Sequence, residues 1–293
     1  SAGNVTLSST SVTAAGTGTD ALSGIEAATI TGGAAAQTID AGGFTGTTTI
    51  TPGAGADTVT GGSGTDTLVA SGSGSLTLAT ASLLIGLETD TLTSIEAARL
   101  TGGIGDDVIS ASAFTGATTI DAGAGNDTIT GSSANDAITG GSGTDRLTVT
   151  ATGNVSLTNT TSTGAGTDTH SGIETATITG GSAAQTINAT GFTGTTTIDP
   201  GAGADTVTGG SGTDTLIASG SGAITLASTS LVSNSETDTL ASIEVANLTG
   251  SSGDDVITAS GFSGTTTIDA GDGDDTISGS TGSDTIAAGS GTD

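Results

Sequence analysis

Residues 122–148 are three nine-residue units laid end to end: Ala122-Gly-Ala-Gly-Asn-Asp-Thr-Ile-Thr130, Gly131-Ser-Ser-Ala-Asn-Asp-Ala-Ile-Thr139 and Gly140-Gly-Ser-Gly-Thr-Asp-Arg-Leu-Thr148. Each begins with small residues, carries aspartate sixth, and places one large aliphatic residue between two outward positions. Glycine admits the positive φ of a sharp turn, aspartate is a hard oxygen ligand, and the closing triplet is a minimal strand with one inward side chain. Such a chain is built to wind.

The winding extends well beyond this stretch. Inward aliphatics step through Ile30, Ile39, Ile50, Val59 and Leu68, and again through Leu100, Ile109, Ile120, Ile129, Ile138 and Leu147. Steps of nine and eleven residues exclude the three-to-four spacing of helices. Short strands between glycine turns at constant spacing predict an all-β chain, a right-handed parallel β-solenoid with about 18–20 residues per coil. Residues 21–145 recur as 169–293, so Phe44 matches Phe192 and Pro52 matches Pro200. The predicted organisation is a first super-repeat over 1–148 and a second over 149–293, continuous with it. Residues 79–98 and 227–246 lack clean turns and are expected to form wider coils or a local excursion whose strand parity counting does not fix. Ser1 falls within a repeat and Asp293 stops six residues into a nonapeptide, which suggests a segment of a longer array.

Leu, Ile, Val and Phe number 54 of 293 residues, and the formal charge is -28. That apolar share lies under the ~20% below which a highly charged chain is expected to stay disordered. Something besides a hydrophobic core must hold it. With no cysteine, disulfides and thiolate metal sites are excluded, while oxygen-ligated cations remain. The acidity makes nucleic acid and anionic membranes poor partners, and no apolar run approaches the ~18 residues of a membrane span. If loops two nonapeptides apart stack, Asp107, Asp127 and Asp145 share one edge, as do Asp255, Asp275 and Asp293. Carboxylates ~4.8 Å apart at an effective dielectric near 20 repel by roughly 3 kcal/mol per pair. A divalent ion between loops reverses the sign, and calcium fits because it takes six to eight oxygens with loose geometry, whereas magnesium demands a tight octahedron.

These units match G-G-x-G-x-D-x-U-x, with U aliphatic, and the chain resembles the RTX (repeats-in-toxin, hemolysin-type) calcium-binding nonapeptide family. The resemblance implies a β-roll in which sixth-position aspartates and loop carbonyls hold Ca2+ between turns. Carried over by position, the candidate ligands are Asp57, Asp66, Asp107, Asp127, Asp136 and Asp145, with Asp205, Asp214, Asp255, Asp275, Asp284 and Asp293 in the second copy. Many loops depart from the family pattern. Gln37 and Gln185 replace the ligand, so calcium is expected to be intermittent.

Other residues read as structural. Phe44, Phe114, Phe192 and Phe262 each fall in an eleven-residue step and are expected to fill the wider corner it makes. His170 is not repeated, since its counterpart is Leu22, and Glu26, Glu96, Glu174 and Glu244 are expected to cap turns or face solvent. The absence of Trp, Tyr and Lys, with two unrepeated arginines, leaves nothing to hold or activate a sugar, which argues against an enzyme. The reading is a calcium-stabilised structural array, extracellular or cell-surface, in a surface layer (S-layer), filament or adhesin stalk. It self-associates or meets a polysaccharide or cell-surface partner. Bacterial origin and type I secretion are implied by the resemblance. Alternatives are a binding module for ice or glycan, suggested by the Thr-rich strands, or the export and folding module of a larger secreted enzyme.

Overall fold

The computed structural model describes residues 3–293, so Ser1 lies outside the described residues. All regular structure among them is β, in 33 short strands. Two compact units form: residues up to Arg146 with Gly166–Gly172, and Leu147–Ala165 with Ile173–Asp293.

In the first unit, Ala27–Thr31, Thr47–Thr51, Asp66–Ser71, Ala97–Thr101, Ala117–Ala124, Ala137–Ser142 and Thr167–Ser171 pair in parallel as one sheet. Its strands alternate along the chain with those of a second sheet, where Val5–Ser8, Thr38–Gly43, Thr58–Thr60 and Glu88–Thr93 are parallel neighbours. The second unit repeats the plan, with Thr175–Thr179, Thr195–Asp199, Asp214–Ser219, Val245–Thr249, Thr265–Asp269 and Asp284–Ala287 in one parallel sheet.

Each triplet follows the expected logic: in Thr58–Thr60 the valine is buried between two outward threonines. β-branched residues suit a pleated surface covered on one face. Aliphatics stack in register, Ile39 on Val59, Ile50 on Leu68 and Leu100 on Ile120, with Ile120 in turn on Ile138. His170 occupies an inward position beside Ile138 and is buried, so the unrepeated imidazole takes an aliphatic's place in the column. The four phenylalanines are buried, and each N–H closes a turn on the carbonyl three residues back, as Phe44 does on Ala41 at 2.8 Å. The two additional residues of those steps form this corner.

Regular coils advance by 18 or 20 residues. The segment 79–98 departs from them. Ser75–Ala79, Ser82–Ile85 and Glu88–Thr93 form an antiparallel meander within the sheet. Its first strand runs parallel to Val108–Ala113 and its last to Thr58–Thr60. The coil through it is longer, pairing Thr58 with Thr91 and Thr67 with Ala97. The second unit has the same device in Ala223–Ala227, Ser230–Ser233 and Glu236–Ala241. The sheet containing it is called the meander sheet below, and its partner the plain sheet.

Candidate metal centre

Turns leading into the meander sheet carry the aspartate ladders. Asp57, Asp107, Asp127 and Asp145, and in the second unit Asp205, Asp255 and Asp275, are each at most 4% exposed. The rungs are joined by backbone-to-carboxylate hydrogen bonds. Asp107 N–H donates to Asp127 Oδ1 at 2.8 Å, and Asp127 N–H to Asp145 Oδ1 at 2.9 Å. Asp255 N–H donates likewise to Asp275 at 2.8 Å, and Asp275 N–H to Asp293 at 3.0 Å. An outer, exposed file runs beside this one, with Asn126 N–H donating to Asp106 Oδ1 at 2.7 Å and Asp274 N–H to Asp254 Oδ1 at 2.9 Å.

One oxygen of each carboxylate is thereby satisfied. The other, Oδ2, is buried without a hydrogen-bond partner in Asp57, Asp127, Asp205 and Asp275. A buried carboxylate oxygen facing no donor is costly unless a cation meets it. Asp107 and Asp255 differ, since their Oδ2 atoms accept Gly103 N–H and Ser251 N–H, both at 2.6 Å.

Glycine sets the spacing of these turns. Gly141 and Gly143 have φ of +118° and +137°, and a Cβ on either would stand 1.9 Å from the carbonyl oxygen of Gly123 or Gly125 in the preceding coil. Only glycine meets both conditions.

Turns leading into the plain sheet use the same residues differently. Gly61-Gly-Ser-Gly-Thr-Asp66 is identical to Gly140-Gly-Ser-Gly-Thr-Asp145, yet neither Gly62 nor Gly64 has positive φ. Asp66 Oδ1 accepts Thr48 N–H at 2.9 Å and Thr48 Oγ1–H at 2.6 Å, and its Oδ2 accepts Gly62 N–H at 2.6 Å. Asp136 accepts N–H and Oγ–H from both Thr118 and Ser132, at 2.6–2.9 Å. Thr196 and Thr266 donate from Oγ1 to Asp214 and Asp284 at 2.6 and 2.7 Å. Of these four, Asp214 alone keeps a buried unpartnered Oδ2. The four Ile-Glu glutamates lead into the same sheet, and two of them cap turns: Glu96 and Glu244 Oε2 accept Asp66 and Asp214 N–H, both at 2.9 Å.

Electrostatics mark three of the ladder carboxylates further. Burial, against the hydrogen bond each receives, holds the carboxyls of Asp57, Asp127 and Asp205 above their ordinary value. Neighbouring acids push the same way, Glu88 on Asp57, Glu236 on Asp205, and Asp145 on Asp127. On the plain-sheet side, hydroxyls of Ser280 and Thr266 lower Asp284.

Among the described residues no three His, Cys, Asp or Glu side chains converge on one point that would hold a metal. An ion here therefore needs backbone carbonyls alongside the carboxylates, a mixed oxygen shell that suits calcium and not magnesium. Sequence reasoning missed part of the ladder. Asp90 and Asp238 are buried rungs, accepting Asp57 N–H and Asp205 N–H at 2.8 Å. Their signal was the frame Asp-x-Leu, at Asp90-Thr-Leu92 and Asp238-Thr-Leu240, without the glycine turn that normally precedes it. Gln37 and Gln185 fill their own turns, each Oε1 accepting the N–H four residues back at 3.1 and 2.9 Å.

The profile of the RTX calcium-binding nonapeptide repeat (four copies) matches residues 42–72, 112–147, 190–221, 247–261 and 260–293. No curated protein matches the chain.

Proposed function

We propose that this chain, which belongs to the RTX calcium-binding nonapeptide repeat family, is a structural segment wound by calcium outside the cell, within a surface layer, filament or adhesin stalk. The family's repeats bind calcium ions. The observation that carries the reading is the file of buried carboxylates whose second oxygens, in Asp57, Asp127, Asp205 and Asp275, meet no donor.

The residues assigned to calcium are those of the meander-sheet edge: Asp57, Asp107, Asp127, Asp145, Asp205, Asp255, Asp275 and Asp293. Loop carbonyls of turns such as Gly123–Gly125 complete the shell. Calcium, when bound, supplies the positive charge that lets adjacent carboxylates share an edge. Asp66, Asp136 and Asp284 stand on the other edge, where neutral N–H and hydroxyl groups already satisfy them, and are assigned a structural, metal-free role; Asp214, whose Oδ2 stays unpartnered, is the one carboxylate of that edge kept as a calcium candidate.

Folding is then conditional. Where calcium is scarce, as in a cytoplasm, the ladder's repulsion keeps the acidic chain unwound and competent for export. Outside, the binding free energy becomes folding free energy. Nothing in this scheme calls for catalysis. Electron microscopy of the purified chain with calcium tests the assembly role: rods, sheets or fibres are expected, and dispersed monomers at all concentrations contradict it.

A further inference from the structure

In regular turns of the meander-sheet edge two contacts tie one coil to the next. The fourth-position N–H donates to a carbonyl of the following turn, as Gly125 does to Ser142 O at 2.9 Å and Gly273 to Ser290 O at 2.9 Å. The sixth-position N–H donates to the next aspartate, as Asp107 does to Asp127.

The turn Gly53–Asp57 has no glycine turn after it, because the meander intervenes. Its backbone is still of the regular kind, with Gly53 at φ +103° and Gly55 at +98°. Both contacts are nevertheless made. Gly55 N–H donates to Glu88 Oε2 at 3.0 Å, and Asp57 N–H to Asp90 Oδ1 at 2.8 Å. Two side chains at the head of the last meander strand stand in for a whole turn, Asp90 for the ladder aspartate and Glu88 for the loop carbonyl. The second unit repeats this: Gly203 N–H meets Glu236 Oε2 at 2.7 Å and Asp205 N–H meets Asp238 Oδ1 at 2.8 Å. In both places the intervening aspartate, Asp57 or Asp205, is 2% exposed with Oδ2 unpartnered.

We infer that Asp57 and Asp205 each hold a calcium ion together with backbone carbonyls of their own turns, at a site that is half nonapeptide turn and half meander, with Glu88 and Asp90, or Glu236 and Asp238, bordering it in place of the next turn. Half of each site lies outside the repeat pattern: Asp57 and Asp205 fall in matched stretches, whereas Glu88, Asp90, Glu236 and Asp238 fall in residues 73–111 and 222–246, which the family profile does not match. A glutamate replaces a neutral carbonyl, so each site carries more negative charge than a regular one and binds calcium more tightly. The ladder therefore runs through the coil before each meander instead of ending there.

The inference rests on the calcium reading of the array, and the test separates the two. Bound ions are counted by equilibrium dialysis of the full chain with radioactive calcium. Glu88→Gln with Asp90→Asn, and Glu236→Gln with Asp238→Asn, keep an oxygen to accept the same N–H groups while removing charge. Each pair is expected to lose one ion, and the fourfold variant two, with the β signal in circular dichroism retained. An unchanged count in the fourfold variant overturns the inference and leaves the array reading intact. A wild-type chain that binds no calcium overturns the array reading itself. Should the fourfold variant fail to fold, Glu88→Gln alone, at an exposed side chain, decides: a tightest-class affinity weakened on the order of tenfold supports the site, and an unchanged isotherm refutes it.

Discussion

The backbone N–H of Asp127 donates to Oδ1 of Asp145 at 2.9 Å, while Oδ2 of Asp127 is buried without a partner. Asp127 in turn receives Asp107 N–H on Oδ1. Asp127, like Asp57, Asp205 and Asp275, is thus positioned by the chain through one oxygen and left unsatisfied at the other. The hydrogen bonds fix the geometry, and the unsatisfied oxygens make that geometry unfavourable without a cation.

Asp127→Asn keeps an oxygen for Asp107 N–H and loses the charge. Its calcium midpoint for folding should rise on the order of tenfold. Asp127→Ala loses the acceptor as well and should cost a further ~1–3 kcal/mol in saturating calcium. Calcium-titrated circular dichroism and denaturant melts check both, and wild-type midpoints would contradict them.

Thr48→Val removes the hydroxyl that donates to Asp66 at 2.6 Å and keeps the shape. Because that carboxylate is held by the chain, the urea midpoint in saturating calcium should fall by the equivalent of about 1.5–3 kcal/mol. The number of bound ions should stay the same. A lost ion would place calcium on this edge too.

Gly143→Ala puts a Cβ at φ +137° against Gly125 O. The turns must separate, and a loss of roughly 2–4 kcal/mol is expected from the strain and the weakened site together. A thermal midpoint within a degree or so of the wild type would show that the turns are not packed as described.

The pH response has opposite signs with and without calcium. Burial raises the folded-state values of Asp57, Asp90, Asp127, Asp205 and Asp238 above 3.8. The folded metal-free chain therefore takes up protons that the unfolded chain, near 3.9, does not. As pH falls from neutral through those raised values toward ~4, the metal-free fold should gain stability. In saturating calcium, protons compete with the ion and stability should fall over the same window. Asp255, lowered chiefly by the N–H of Ser251, acts the other way but loses its contribution only below this window. In EGTA the β signal lost at neutral pH should increase as pH falls toward about 4, while in saturating calcium the thermal midpoint should fall over the same window; a chelated chain that gains no β signal on acidification would refute the ladder's electrostatics.

The winding was legible because a nine-residue frame with one inward aliphatic admits little else, and Ile109 stacks on Ile129 as that frame requires. The corners were legible too, since Phe44 and its three counterparts are large residues where two extra positions make room. The meander was not. Leu76 and Leu78, Leu83, and Leu92 turn inward with the period of any strand, and that period carries no direction. Asp90 escaped notice for the same reason, having no glycine turn before it. The difference between the edges was present in the sequence, though not in the turn itself. Counting 18 residues back from Asp66 gives Thr48, whereas 18 back from Asp145 gives Asp127. The neighbouring coil, not the hexapeptide, decides whether a carboxylate meets a hydroxyl or another carboxylate.

The most direct test is far-UV circular dichroism with hydrodynamic size, on chain dialysed exhaustively against EGTA at neutral pH and low ionic strength, then titrated with calcium or magnesium. The account predicts loss of β signal and expansion on dialysis, with cooperative recovery in calcium and none at equal magnesium. A chain that stays compact and β-rich after chelation would contradict it.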